Sequence, residues 1–298
     1  MVRFAVVSAG APRHGKNLQA QLQSISDQEG WGWECEFLEW QQDGYESHDF
    51  SKVDWVWNVG NFENVFMWMS QLDGPEKIAH WVGTDLLQHG DVVNRGLPDP
   101  FAAAQIHIAD APHLVQEARE LTGLDVGYVR SIPPEAYPRV PVVRWDGVLG
   151  YVPTGRDDFF RWPWFLELAR DYPDLTFHLI GREPEANLPS NVRTYKEIAG
   201  EDKRRLFESC FVYLRPIEHD GIGLTLIEMA QMGRWVFHTD TRIPHVLPAR
   251  NLGEIEFGLD SILLSKRPPG EEVSTYYERE FSRERLQGDL ASLRQRLG

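Results

Sequence analysis

The sequence predicts an α/β protein of two Rossmann-like, doubly wound domains that face each other across a cleft. Three observations predict it. Short apolar runs alternate with helical patterns along a chain of 298 residues, a length at which two domains are the default. One proline-rich stretch interrupts that alternation. The alternation then restarts and builds a second unit of similar size. Buried strands separated by helices imply parallel sheets, because each crossover returns a helix to a sheet face.

In the first half, "RFAVVSA" (3–9) reads as a strand and "NLQAQLQSISDQ" (17–28) as an amphipathic helix. "WECEFLEW" (33–40) alternates as a strand does, and "DWVWNVG" (54–60) is another strand, followed by the helical "NVFMWMSQL". "KIAHWVGT" (77–84) and "QIHIAD" (105–110) are strands, "APHLVQEARELTG" (111–123) is a helix closed by Gly123, and "VGYVRSI" (126–132) is the last strand of this half. Pro133, Pro134, Pro138 and Pro141 then break regular structure and mark a linker. In the second half the strands are "GVLGYVP" (147–153), "LTFHLIG" (175–181), "NVRTYKEI" (191–198), "FVYLRP" (211–216) and "RWVFHTD" (234–240). Helices are expected at 159–173, at "GEDKRRLFESC" (200–210) and at "LTLIEMAQM", which Gly233 stops. The tail over 274–297 reads as one or two helices. The domains are therefore expected at 1–135 and 147–272, with 136–146 as linker and 273–298 as a helical segment returning to the first domain.

Composition narrows the function classes. The net charge of −15, from 45 acids and 30 bases, repels polyanions at long range and weighs against a dedicated nucleic-acid surface. No apolar run reaches the roughly 18 residues of a membrane span, and the N-terminus reads as a strand rather than a signal peptide. Two distant cysteines, Cys35 and Cys210, suit a reduced, cytoplasmic setting. Of the 11 tryptophans, seven fall before residue 82, where helix–sheet packing is the ordinary use and stacking on sugars or bases the alternative. No phosphate-loop, dinucleotide, nucleophile-elbow or zinc-protease signature occurs, and no D-x-D. The ten histidines lack ligand spacing, so neither a metal nor a resident cofactor is expected.

One stretch carries chemistry: "HDGIGLTLIEMAQMG" (219–233). A strand feeds an acidic glycine loop, which feeds an apolar helix with one internal carboxylate. Glycines admit close backbone approach, and a helix start offers unpaired N–H groups and partial positive charge to a phosphate. Glu228 stands four residues after Leu224, on the side of the helix start, where a carboxylate can accept two hydrogen bonds from a ribose diol. The bland alternative is a buried helix in which Glu228 pairs with a cation such as Arg215.

The pattern acid-G-x-G-L-x-x-x-E resembles the E-x7-E motif of retaining glycosyltransferases of the GT-B fold, the large family GT4. The resemblance implies that Glu228 binds the nucleotide ribose and that Asp220 lies near the donor sugar hydroxyls. Gly221, Ile222, Gly223, Leu224 and Thr225 would then face sugar and phosphates. Aspartate stands at 220 where the family has glutamate. "GYVPTGRDDFFRW" resembles the family's G-R-x-x-x-x-K-G loop, whose arginine and lysine clamp the donor diphosphate. Arg156 matches the arginine and Arg161 stands near the lysine, unless Arg161 is a surface residue beside Trp162. Backbone at Tyr195 and Lys196 would contact the base. "SAGAPRHGKN" resembles the glycine-bearing first loop, with Gly10, Gly15 and Lys16 as donor contacts. Asp85, in "HWVGTD", is an acceptor-side group or simply a helix N-cap. The implied reaction moves a sugar from a nucleotide diphosphate sugar, UDP or GDP, to an acceptor hydroxyl with retention and without a metal. The acceptor would be a polysaccharide, a small molecule or, against the charge, modified DNA. Competing readings are a sugar-nucleotide epimerase or phosphorylase of similar fold, and a non-catalytic sugar-nucleotide-binding protein.

Overall fold

The computed structural model describes residues 1–8, 12–39, 48–60, 63–83, 85–88, 102–135 and 137–297. It divides into two compact units, Met1–Pro134 with Phe281–Gly298, and Glu135–Glu280.

The first unit begins β1 (Val2–Ser8), α1 (Pro12–Glu29), β2 (Trp33–Glu39), a 3-10 turn (Phe50–Lys52) and β3 (Trp55–Val59). It continues α2 (Glu63–Gln71), β4 (Glu76–Trp81), β5 (Ile106–Ala109), α3 (Pro112–Thr122) and β6 (Val126–Tyr128). The six strands form one parallel sheet in the order β2-β1-β3-β4-β5-β6. Val6 and Val7, Val56 and Trp57, and Ile78 and Ala79 are consecutive pairs with no exposed surface. Neighbours on a strand point to opposite faces, so both faces of this sheet are covered, as a parallel sheet requires. Trp33, Trp57 and Trp81 are buried in this unit, which is the packing use of its tryptophans. Trp40 lies outside the described residues.

The second unit holds β7 (Gly147–Tyr151), α4 (Trp162–Asp171), β8 (Thr176–Ile180), β9 (Val192–Tyr195), α5 (Gly200–Ser209) and β10 (Val212–Arg215). It continues α6 (Leu224–Gln231), β11 (Trp235–His238), the short β12 (Leu247–Pro248), α7 (Leu252–Ser265) and α8 (Glu271–Glu280). Its sheet is also parallel, in the order β12-β11-β10-β7-β8-β9. The chain leaves β7 toward β8 and β9, then returns to β10 on the other side. The β7/β10 boundary is thus the topological switch point, the place where doubly wound sheets receive ligands at the carboxyl ends of their strands. The core beneath it joins Val148, Phe165, Phe177, Leu179, Phe211 and Phe237.

Several boundaries differ from the sequence reading, each for a local reason. The last strand of the first unit stops at Tyr128 rather than 132. Beyond it, the Ile132 carbonyl accepts from the α1 side chains Asn17 at 2.7 Å and Gln21 at 3.2 Å instead of from a strand. α4 starts only at Trp162, because Arg161 adopts left-handed backbone (φ 54°) and proline occupies the first turn. α1 begins at Pro12, so Gly15 and Lys16 lie inside a helix rather than in the expected first loop. The tail forms two helices, α8 and α9 (Arg283–Leu297). α8 belongs to the second unit, where the Tyr277 carbonyl accepts from Gln231 at 3.3 Å. α9 belongs to the first, where Asp289 accepts from buried Arg130 through Nε at 2.6 Å and Nη2 at 3.1 Å.

Candidate functional site

β10 is apolar until its last residue. Val212, Tyr213 and Leu214 are fully buried, and Arg215 closes the strand with only 9% of its surface exposed. A buried guanidinium needs partners, and the loop that follows supplies them. Arg215 Nε donates to Asp220 Oδ2 at 2.5 Å and Nη1 donates to the Tyr213 hydroxyl at 3.2 Å. Its carbon stands 5.6 Å from the ring centres of both Tyr151 and Phe160. Gly223 is explained by the same group, because a Cβ there would lie 3.3 Å from Arg215 Cζ and Nε. The glycine at the start of α6 makes room for the arginine.

Burial pushes the Asp220 carboxyl up, but the Arg215 charge and the nearby His238 outweigh it, and the carboxyl ends below its ordinary value. His238 Nδ1 accepts from the Asp240 amide at 2.9 Å. Nε2 therefore carries the hydrogen in the neutral ring, and it approaches Asp220 Oδ2 to 4.0 Å. Asp220 is accordingly an ionised acceptor held by two strands, β10 and β11.

The loop after β7 covers this group. The Glu218 amide donates to the Phe159 carbonyl at 3.1 Å, which ties the β7 and β10 loops together across the switch point. Arg156 is exposed, with its guanidinium carbon 4.3 Å from the Phe159 ring centre and 5.2 Å from that of Phe160. It feels the charges of both Asp220 and Arg215. Arg161 does not join them. Its Nη1 donates to the Asp158 carbonyl at 3.3 Å and its guanidinium lies over Trp164.

α6 opens beside the end of β10, with Gly223 against Arg215. Gly221 and Ile222 are buried, while Gly223, Leu224 and Thr225 are half-buried. The Leu226 and Ile227 amides already turn back to the Gly223 carbonyl, and the amides before them are the orphan donors of a helix start. Gly233, at φ 73°, closes the helix.

Glu228 is fully buried, and its partner is Lys203 of α5 at 2.6 Å rather than Arg215. The Lys203 ammonium also stands 5.4 Å from the Tyr137 ring centre and 5.2 Å from that of Phe207. Burial raises the Glu228 carboxyl above its usual range, against the opposing pull of Lys203. Glu228 Oε2 is shut off from solvent and reaches no hydrogen-bond partner among the described residues. The two carboxylates eight residues apart thus sit in separate ion pairs, one on β10 and one on α5.

The remaining candidates are dispersed. Tyr195 ends β9, three strands from β10; its hydroxyl lies 2.9 Å from His178 Nδ1, and its carbonyl accepts from the Gly181 and Arg182 amides. Lys196 is exposed and pairs with Glu183 at 2.5 Å. Gly15 is packed in α1 where a Cβ would lie 2.8 Å from the Phe37 ring and 2.9 Å from Ser8 Cβ, while Lys16 is exposed on the same helix. Gly10 lies outside the described residues. Asp85 is buried and accepts from the Val82 and Leu86 amides. Among the described residues, no three His, Cys, Asp or Glu gather as a metal-ligand set, and no helix is long and apolar enough to cross a membrane. Cys35 and Cys210 are free, each with its thiol pushed up to about 12 by burial. Arg215, His238, Lys203 and Tyr137 escaped sequence reasoning as site residues. The available signal was an arginine ending an otherwise apolar strand.

No protein-family model and no curated protein matches the sequence. Solved structures do match. Sucrose-phosphate synthase from Thermosynechococcus elongatus aligns at a TM-score of 0.72 and 12% identity, over 100% of this chain and 99% of that one. A UDP-GlcNAc 2-epimerase from Neisseria meningitidis, bound to UDP-GlcNAc, aligns at 0.57 and 10% identity over 99% and 100%. A mutant of TarM from S. aureus, in complex with fondaparinux, alpha-GlcNAc-glycerol and UDP, aligns at 0.58 and 11% identity over 84% of this chain and 57% of that one. At such identities the likeness is one of fold: the chain has the two-domain α/β fold of the GT-B glycosyltransferases.

Proposed function

We propose that the chain is a retaining hexosyltransferase of the GT4 type that moves a sugar from UDP- or GDP-sugar to an acceptor hydroxyl in the cytoplasm. The observation that carries the reading is the set of groups gathered at the β7/β10 switch point. Arg156, the Asp220 loop and the open start of α6 converge there through the hydrogen bond between the two loops. The fold shared with sucrose-phosphate synthase and TarM supports the same class.

In this reading the diphosphate lies against Arg156 and the amides of Gly223, Leu224 and Thr225. Negative charge develops on the leaving diphosphate as the anomeric bond breaks, and fixed cations and oriented N–H groups stabilise it. The residues supply that charge themselves, so no metal is called for. Asp220, ionised and fixed, accepts from donor-sugar hydroxyls. Glu228, a buried carboxylate beside Lys203 and Tyr137, is suited to accept from ribose hydroxyls. Binding then requires Lys203 and Tyr137 to shift and open the path. Tyr195 and Lys196 are proposed at the base, and Gly10, Gly15 and Lys16 as further donor contacts. Asp85 is proposed on the acceptor side, together with a polysaccharide, small-molecule or hydroxymethylated-DNA acceptor. Retention follows from front-face attack assisted by the leaving phosphate, which needs no protein nucleophile.

A screen of UDP-, GDP- and ADP-sugars for slow donor hydrolysis tests the reading, followed by an acceptor array that includes hydroxymethylated DNA. Nucleotide diphosphate release that grows with an acceptor is expected. Interconversion of the donor sugar without an acceptor supports an epimerase instead. Binding of the nucleotide sugar with neither reaction supports a non-catalytic binder.

A further inference from the structure

Two cations meet on one ring in this acidic chain. The guanidinium carbons of Arg156 and Arg215 stand 5.2 Å and 5.6 Å from the ring centre of Phe160. The first comes from the loop after β7 and the second from the last position of β10, one on each side of the switch point. Asp220 is the carboxylate that faces them, and it is bound to Arg215. Counting these three groups, one positive charge is left over, on a protein whose net charge is −15. Like charges repel most where water is scarce, so such a pair is stable where an anion is to be received. The start of α6 adds to the same field: Gly223 packs directly on the Arg215 guanidinium, and the unpaired amides of a helix start face anions. Arg161, by contrast, is turned onto Trp164 and the Asp158 carbonyl.

We propose that Arg215 is the second cation of the diphosphate site, acting with Arg156 across the switch point in the place that the loop sequence suggested for Arg161. Arg215 serves two acids in turn. It holds Asp220 in the empty site, and it keeps N–H groups beyond those spent on Asp220 and Tyr213, since a guanidinium has five. This proposal rests on the nucleotide-sugar reading and adds to it the group that meets the phosphates.

Isothermal titration of the full chain with inorganic pyrophosphate, UDP and GDP tests it. Arg215→Ala alone would strand a buried carboxylate and could unfold the unit. The informative comparison is therefore D220N against the double variant R215Q/D220N, which removes the cation while leaving a shorter polar side chain in its place. Circular dichroism confirms that each is folded. D220N should bind pyrophosphate at least as tightly as the wild type, because a competing anion is gone. R215Q/D220N should bind it roughly tenfold or more weakly than D220N, the scale of a lost charge-assisted bond. R215K should retain most of the affinity, and Arg205→Ala, on an exposed helix face, should match the wild type. Equal pyrophosphate affinity in D220N and R215Q/D220N overturns the proposal while leaving UDP or GDP binding intact. A wild-type chain that binds neither UDP nor GDP overturns the nucleotide reading itself, and the proposal falls with it.

Discussion

Half-buried Asp220 and buried Glu228 both have a basic partner, yet their carboxyls are shifted in opposite directions. For Asp220 the charge of Arg215 overcomes desolvation; for Glu228 desolvation prevails over Lys203. The difference has a measurable sign. A carboxyl raised in the folded state contributes stability that is complete below its unfolded pKa and is lost as pH rises through its folded pKa. The thermal stability of Glu228→Gln relative to wild type should therefore improve as pH rises past the ordinary glutamate value of 4.5, with a slope of up to about 1.4 kcal/mol per pH unit. Melting curves across that window check it. His80, in the first unit, behaves oppositely. Burial, aided by the charge of His14, lowers it to about 3. A base lowered in the fold stays neutral while the unfolded chain takes up a proton, so stability falls as pH drops from 6.5 toward 3. His80→Gln should flatten that acid limb, as read by thermal unfolding in the same buffers. Neither ion pair was legible in the sequence. Arg215 and Asp220 meet around a turn of five residues, and Lys203 and Glu228 meet between helices 25 residues apart. No periodic pattern encodes either distance.

At the scale of elements, the strands and helices themselves were legible, because periods of two and 3.6 residues leave different apolar patterns. "APHLVQEARELTG" gave α3 and its Gly123 cap, and "LTLIEMAQM" gave α6 and its Gly233 stop. What was not legible was why some glycines are there. Gly15, Gly147, Gly150 and Gly258 serve helix–sheet contact rather than turns. A Cβ at Gly147 would lie 2.4 Å from the Ser209 carbonyl oxygen, and one at Gly150 would lie 2.5 Å from the Phe165 ring and 2.7 Å from Leu179. Side chains can shift and backbone can hardly do so. Gly150→Ala should then cost about 1–3 kcal/mol, the usual range for overpacking, and Gly147→Ala should cost more. Urea denaturation of the two variants should give that ranking.

For the whole molecule, the chain closes on its beginning. Residues 281–298 are last in sequence but belong to the first unit, through the Arg130–Asp289 pair at 2.6 Å and the Arg283 contact with Ser24 at 2.9 Å. Deleting them should lower the stability of the first unit, because the deletion removes Asp289, the carboxylate that buried Arg130 pairs with. Limited proteolysis should then cut within 1–134 first and leave 135–280 protected. Equal protection of both units would contradict the division. Binding of a nucleotide diphosphate should persist in the deleted chain, because Arg156, Arg215, Asp220 and Glu228 all lie within 135–280.

A nucleotide diphosphate held at the β7/β10 switch point leaves a calorimetric signature. Isothermal titration of UDP and GDP into the wild type, Arg156→Ala and Glu228→Ala measures it most directly. The wild type should show saturable one-site binding of at least one of the two, weakened roughly tenfold or more by each substitution, as loss of a charge-assisted contact implies. Wild-type affinity in both variants, or no binding of either nucleotide by the wild type, would contradict it.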